Sequence, residues 1–495
     1  MNKQLRHLSV VALVLLAALI VSTTYWQTWA VGALNAKKDN ALQTVLRRTI
    51  DRGEILGADG TVLANNRVSR KHGITVYTRH YPQNDLAPQV IGYSTNAGTT
   101  TGLEQSLDDY LTGANTNLTN TFTQTLDKLG GQTVHGNDVH LTLKPAIQRL
   151  ALDQLAGRCG AVVVLDAKTG AVYAMASSPT YNANLINQPR GYPKIQRIKG
   201  TCGDHTALQN NATAGLYPPG STFKMVTAAA ALDSGAYTPS SPFYDPGYCT
   251  EYGRRVSNAG NPDQTGPEAF GDVTLAQGFE HSINSVFCNV GKHIGGLEVL
   301  KYAKRFGFYS LPPLETPADE RRVSGLYKNG RLWDPKHSFQ IDAGRLAFGQ
   351  FNMLATPLQM AMVGQAIANK GVEMEPHLVD RITAPDGSLV SKTPPQVLAR
   401  PIKPQTAAEL NQMMQLVVQG GTAAGIFPSG LKVAGKTGTA ELGLVNVYDA
   451  WFVCFAPADN PRYVVAVVVE KQANGFGASI SAPIARAILE KLLHR

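Results

Sequence analysis

Ser221 and Lys224 stand three residues apart in the run Tyr217-Pro218-Pro219-Gly220-Ser221-Thr222-Phe223-Lys224, and an Ala-rich apolar stretch follows at once. Pro and Gly stop whatever precedes, so the pattern predicts a helix from near Ser221 to near Asp233-Ser234-Gly235. Residues three apart on a helix share a face, which would bring the Lys224 amine within hydrogen-bond reach of the Ser221 hydroxyl. A serine is a poor nucleophile until a base takes its proton, and a neutral lysine can be that base. Unpaired N–H groups at the helix start would favour a developing negative charge. Alone the signal is weak. Roughly two Ser-x-x-Lys matches arise by chance in a chain of this length, and the ordinary reading is a Ser-capped helix with a solvated lysine.

Two further motifs follow in order: Ser282-Ile283-Asn284 and Lys436-Thr437-Gly438-Thr439. Together the three motifs describe acyl transfer. Ser221 would attack a carbonyl and become an ester while Lys224 takes the proton. Lys436 nearby would depress the Lys224 pKa. The Ser282 hydroxyl would relay a proton to the leaving amine, and Asn284 would orient Lys224 and hold the substrate backbone. Lys436 with the hydroxyls of Thr437 and Thr439 would bind a terminal carboxylate, and Gly438 would leave room along the strand edge. The N–H groups of Ser221 and Thr439 would form an oxyanion hole.

These residues need elements to hold them. The chain has 495 residues, 43% hydrophobic and 16% charged, enough for two or three domains with proper cores. Lys3 and Arg6 precede an uncharged apolar run over 8–21, then Ser, Thr, Tyr and Trp to Trp29. That predicts an uncleaved transmembrane anchor over 1–29, with a short cytoplasmic tail and the remainder outside the cytoplasm. A signal peptide cleaved near Thr28-Trp29-Ala30 is the rival reading. Polar helical sequence over 33–47 would extend the anchor. Short apolar runs around Asp59-Gly60 read as a hairpin, and a helical piece runs from Leu103 to Leu111. No catalytic cluster appears before Pro145, so 30–145 reads as a non-catalytic module and 146–495 as the catalytic domain.

Within that second part, a helix begins near Pro145. Two buried strands flank Lys168-Thr169-Gly170. Thr356-Pro357 reads as a capped helix start. Strands run from Trp451 and from Tyr463, and a last helix starts near Pro483. Much of 236–270 and 310–340 reads as irregular. Of the five cysteines, Cys202 and Cys249 lie in polar sequence and are the likeliest pair for a disulfide, whereas Cys288 and Cys454 sit in apolar patterns and read as buried thiols. No Cys/His spacing suits a metal. The net charge of +9 is scattered, without the basic and aromatic runs of a nucleic-acid binder.

The three motifs in this order resemble those of penicillin-binding proteins and serine β-lactamases, with Ile283 where Asp is usual. Nearly the whole chain is similar to a class B penicillin-binding protein, a membrane-anchored D,D-transpeptidase of bacterial peptidoglycan synthesis. The stretches that carry this are Arg52-Gly53-Glu54-Ile55, Gly102-Leu103-Glu104, Tyr217-Pro218-Pro219-Gly220, Phe348-Gly349-Gln350, Thr356 to Ala361 and Ala450-Trp451-Phe452. Ser285, where Thr is common, and Cys454, where Gly or Ala is usual, are departures away from the chemistry. The resemblance implies an α+β multidomain fold. A small mixed α/β pedestal or dimerisation module would precede a five-stranded antiparallel sheet flanked by helices, with an all-helical lobe beside it. It implies a stem peptide ending in D-Ala-D-Ala as donor, an amine of a neighbouring stem peptide as acceptor, and acylation by β-lactams. It also implies a role in cell shape or division, and a polytopic membrane glycan polymerase as partner. No cofactor is implied.

Related classes fit less well. About 110 residues between anchor and catalytic domain are too few for a glycosyltransferase, and no Glu-Asp-x-x-Phe occurs there. A β-lactamase needs a base for deacylation, and no Glu-x-x-Leu-Asn stands between Asn284 and Lys436. A D,D-carboxypeptidase uses the same residues and is the nearest enzymatic alternative. A β-lactam sensor would need more cytoplasmic chain than the few residues before Leu8.

Overall fold

Apolar strands and the turns between them build the frame that holds the three motifs. A computed structural model describes residues 2–25, 48–71, 74–114, 135–201, 206–258, 268–443 and 446–494. The first element is the helix Asn2–Tyr25. Its segment His7–Tyr25 is long and apolar enough to cross a membrane, and none of that apolar window is buried. The proposed extension over 33–47 lies outside the described residues.

The predicted hairpin at Asp59-Gly60 forms between Ile55–Leu56 and Val62–Lys71. These strands belong to a six-stranded sheet that also contains Ile74–His80, Asp138–Leu141, Val379–Thr383 and Leu389–Lys392. Two strands of this sheet therefore come from far along the chain. The helical piece at Leu103 divides into Gly102–Ser106 and Asp108–Leu111. It carries Glu104, fully buried between two guanidinium groups. Arg52 donates to Glu104 at 2.9 Å and to Asp108 at 2.6 Å, and Arg79 donates to the other Glu104 oxygen. Burial alone would raise the Glu104 carboxyl, but Arg79 and Arg52 hold it below the usual carboxylate value.

The second sheet has five strands, all antiparallel, in the order Ala434–Glu441, Val447–Ala456, Tyr463–Ala473, Gly160–Asp166, Val172–Ser178. Every residue of Gly160–Asp166 is buried, as expected for a strand covered on both faces. Helices Pro145–Leu155 and Pro357–Ala368 cover that strand, and Pro404–Gln419 and Gly477–Leu492 pack on the other strands of the sheet. The Thr356 cap forms as expected, its hydroxyl accepting from Gln359 N at 3.2 Å with Pro357 in the first turn. The last helix starts at Gly477, ahead of the predicted Pro483, which lies inside it. Tertiary contact outweighs the proline signal here. Buried Ser481 donates to Ala450 O at 2.7 Å and ties the first turns to the sheet.

The helical lobe gathers Lys224–Asp233, Leu275–Glu280, Asn284–Ile294 and Gly296–Arg305. Within 236–270, read as irregular, stand the short strands Pro242–Asp245, Tyr248–Glu251 and Arg254–Ser257. The cysteine reading needs correction. Cys249 is bonded to Cys288, with Cα atoms 6.4 Å apart, so Cys249 does not pair with Cys202 and Cys288 is no thiol. The Tyr248–Glu251 hairpin lies against the Asn284–Ile294 helix and brings two buried sulfurs together. Cys159 is disulfide-bonded as well, and Cys202 lies outside the described residues. Cys454 is a free buried thiol, and burial pushes its pKa up.

Candidate active site

The segment that carries Ser221 is held from two sides before the helix begins. Tyr217 exchanges backbone hydrogen bonds with Ala355, and Trp451 Nε1 donates to Pro218 O at 3.0 Å. Gly220 then takes φ +51, a left-handed turn that suits glycine. Residues Gly220–Phe223 form a 3-10 turn and Lys224–Asp233 an α-helix. Side chains three apart nearly eclipse in a 3-10 turn, so Ser221 and Lys224 share a side.

Lys224 is fully buried, and its amine donates to Ser282 O at 2.6 Å, to Asn284 Oδ1 at 2.8 Å and to Ser282 Oγ at 3.3 Å. Lys436, also fully buried, donates to Ser282 Oγ at 2.9 Å and to Thr437 O at 3.2 Å. One residue of each motif thus meets at Ser282. No hydrogen bond joins Ser221 Oγ to Lys224 Nζ, whose three hydrogen bonds all go to the second motif. In unliganded sites such nucleophile–base contacts are often loose and tighten with substrate.

The electrostatics follow from burial. The amines face aromatic walls, Lys224 Nζ 5.3 Å from the Phe287 ring centre and Lys436 Nζ 5.5 Å from that of Phe279. Desolvation, and then the charge of Lys436, push the Lys224 pKa well below the ordinary lysine value. Desolvation pushes Lys436 down to about 7. A neutral amine is therefore accessible at this site near neutral pH, as a general base requires.

Ser282 has φ +59, a left-handed backbone rare for a residue with a Cβ. It links the helices Leu275–Glu280 and Asn284–Ile294, with Ile283 N donating back to Gly278 O at 2.8 Å. That turn aims both its hydroxyl and its carbonyl at the lysines. Asn284 is fixed from behind, its Nδ2 donating to Ser257 O at 3.1 Å. Buried Ser285 donates to Asp245, and its N–H donates to Asn258 Oδ1 at 2.9 Å.

The third motif lies on Ala434–Glu441, the outer strand of its sheet, whose free edge could accept an extended peptide. Thr437 shares a hydrogen bond of 2.6 Å with Thr422 Oγ1. The Thr439 hydroxyl is half-buried and accepts from Gly477 N at 3.5 Å. Gly438 serves close packing on its Cβ side: a Cβ there would stand 2.8 Å from Thr222 Cγ2 and 2.9 Å from Trp451 Cβ. Gly349, at φ +78, lets its loop pack directly on the Gly220 carbonyl. Thr422, Ser257 and Asn258 carried no motif, and their roles come from long-range contacts that the sequence does not announce.

Two buried lysines with two half-buried serines, beside an antiparallel sheet and a helical lobe, are the layout of a serine acyl-transferase of the penicillin-recognising kind. Residues 160–490 match the family described as the penicillin binding protein transpeptidase domain, and residues 52–139 match the penicillin binding protein A dimerisation domain. The chain belongs to the class B penicillin-binding proteins. It is 32% identical over 523 residues to the peptidoglycan D,D-transpeptidase PbpA of Mycolicibacterium smegmatis, covering 100% of this chain and 99% of that one. Among solved structures, it resembles the ceftriaxone acyl-enzyme of penicillin-binding protein A from M. tuberculosis, with TM-score 0.78 and 29% identity, over 90% of this chain and 99% of that one. A D,D-transpeptidase domain from Eggerthella lenta gives TM-score 0.74 and 34% identity over 90% and 99%.

Proposed function

We propose that this chain is a serine D,D-transpeptidase that cross-links peptidoglycan stem peptides through a Ser221 ester. The observation that carries the reading is the meeting of Lys224 and Lys436 at Ser282, with Lys224 itself one turn of chain after Ser221. In this reading Lys224 takes the Ser221 proton, Ser282 passes it to the departing D-Ala, and Asn284 orients Lys224 and the substrate backbone. Lys436, Thr437 and Thr439 receive the terminal carboxylate, with Gly438 keeping the strand close to the nucleophile turn. An amine of a second stem peptide then takes the acyl group.

The remaining assignments accompany that chemistry. The apolar helix His7–Tyr25 is a single-pass anchor with its N-terminus in the cytoplasm and the catalytic domain outside. Residues 1–29 form tail and anchor, 30–145 a pedestal that docks a polytopic glycan polymerase, and 146–495 the transpeptidase domain.

Intact mass after benzylpenicillin tests the nucleophile: one adduct is expected, on the Ser221 peptide, and a labelled Ser221→Ala variant overturns the assignment. Assay with a D-Ala-D-Ala donor plus an amine acceptor then separates transfer from simple hydrolysis. Hydrolysis alone would favour the D,D-carboxypeptidase reading. The penicilloyl ester should last minutes to hours after excess fluorescent penicillin is removed. Each tenfold in rate is about 1.4 kcal/mol of barrier, and steady nitrocefin turnover would point instead to a β-lactamase.

A further inference from the structure

A second concave surface lies away from the three motifs, between the loop after Tyr93 and the segment Ala183–Asn187 with the residues that follow it. Its volume is about 700 Å³, within the range of small-ligand sites. Two tyrosines line it, Tyr93 with its ring mostly buried and Tyr192 with 43% of its surface exposed. The rest of the lining is amide, hydroxyl and aliphatic, and no charged side chain contributes.

The walls are fixed to one another. Asn187 spends both ends of its amide on the opposite loop, accepting from Asn96 N at 2.8 Å and donating to Ser94 O at 3.1 Å. That loop is closed on itself, Thr95 N donating to Thr99 O at 2.8 Å and Thr101 N to Tyr93 O at 3.1 Å. Other polar groups are left over. The side chains of Asn96, Gln188, Thr99 and Tyr192 make no hydrogen bond to any described residue. A groove with one exposed aromatic ring, unspent carboxamides and no charged lining is suited to a neutral ligand with apolar faces and many hydroxyl and amide groups. A β-linked N-acetylated sugar chain has that character: its ring faces are C–H surfaces that lie on aromatic rings, and its acetamido groups pair with carboxamides.

We propose that this groove binds the N-acetylated glycan strand that carries the stem peptide, with Tyr192 as the stacking platform and Asn96 and Gln188 reading the acetamido groups. The choice of sugar rests on the transpeptidase reading, whereas the groove and its chemistry do not. A sugar subsite on the N-terminal side would hold the donor strand while its peptide reaches Ser221.

The test uses the full chain in detergent and the oligomer chitotetraose, followed by saturation-transfer NMR and titration calorimetry. Maltotetraose and a sugar-free stem pentapeptide are the controls. Binding of chitotetraose should weaken about tenfold or more in Tyr192→Ala, as for loss of an aromatic anchor, weaken in Asn96→Ala, and persist in Tyr192→Phe. Acylation by fluorescent penicillin should be unchanged in all three variants, which also reports that they are folded. Absence of chitotetraose binding, equal binding of maltotetraose, binding of the pentapeptide in its place, or indifference to Tyr192→Ala would each overturn the proposal. If penicillin fails to acylate the wild-type chain, the transpeptidase reading fails, and chitotetraose binding still decides the groove.

Discussion

Lys224 and Lys436 direct their amines at one oxygen, Ser282 Oγ, from 3.3 and 2.9 Å. Two ammonium groups so close, both without solvent, cannot comfortably be charged together. Acylation should therefore follow a base that loses its activity as pH falls and Lys224 becomes protonated. Lys436→Met removes a positive neighbour, which makes protonation of Lys224 easier and raises its pKa. The acid limb of the pH profile for penicillin acylation should move to higher pH. A limb that stays in place would show that Lys436 does not tune Lys224.

Ser282 allows its hydroxyl and its backbone to be tested apart. At φ +59 a Cβ costs about 1 kcal/mol that glycine does not incur. Ser282→Gly should keep or raise the melting temperature while lowering the acylation rate about a hundredfold or more, the usual scale for losing a proton-transfer group. Thermal melts and stopped-flow acylation of the same sample check both halves. Loss of stability with normal chemistry would contradict the assignment.

Glu373 is fully buried, and neither of its carboxyl oxygens has a hydrogen-bond partner among the described residues. Burial pushes its pKa up to about 8. Below the ordinary value of 4.5 both folded and unfolded chains carry the proton, and stability is unaffected. Between 4.5 and about 8 only the unfolded chain ionises, so stability falls with rising pH, by at most about 1.4 kcal/mol per unit. Above that window the loss is complete. Glu373→Gln should flatten the decline in melting temperature from pH 5 to pH 8. A wild-type melting temperature that does not fall across that range would refute the reading.

The Cys249–Cys288 bond ties the Tyr248–Glu251 hairpin to the helix that begins with Asn284. Ser257, on the partner strand of that hairpin, holds Asn284 through its carbonyl. The double replacement of Cys249 and Cys288 by Ser should lower stability by about 2–4 kcal/mol and slow acylation as well. Denaturant melts and acylation rates measured well below the melting temperature separate the two effects. A destabilised variant that acylates at the wild-type rate would show that Asn284 is positioned without the bond.

What the sequence disclosed follows from range. The shared side of Ser221 and Lys224 was legible because a helical turn is local, and the Gly170 hairpin because two continuous apolar runs and a turn lie within a few residues. The partners of Cys249 and Asn284 depend on how a hairpin folds over a helix, and composition is silent about that. Polarity of the flanking residues pointed Cys249 away from Cys288, yet both sulfurs are buried. The strands Val379–Thr383 and Leu389–Lys392 join a sheet whose other members lie more than two hundred residues earlier, and alternation cannot name a partner at that distance. The left-handed Ser282 was equally invisible, since its motif fixes residue types and not backbone angles.

Close packing at Gly438 and Gly349 bears on drug escape. A population under β-lactam selection explores single substitutions, and one simple route would enlarge a small residue near Ser221 to exclude the drug. At these two glycines there is no slack: a methyl at Gly438 strikes Thr222 and Trp451, and one at Gly349 strikes the Gly220 carbonyl. Either change displaces the Gly220–Phe223 turn that carries Ser221. Tolerated escape routes must then enter from the rim, through side chains such as Thr439 that are part exposed, and are expected to trade drug exclusion against substrate fit one contact at a time.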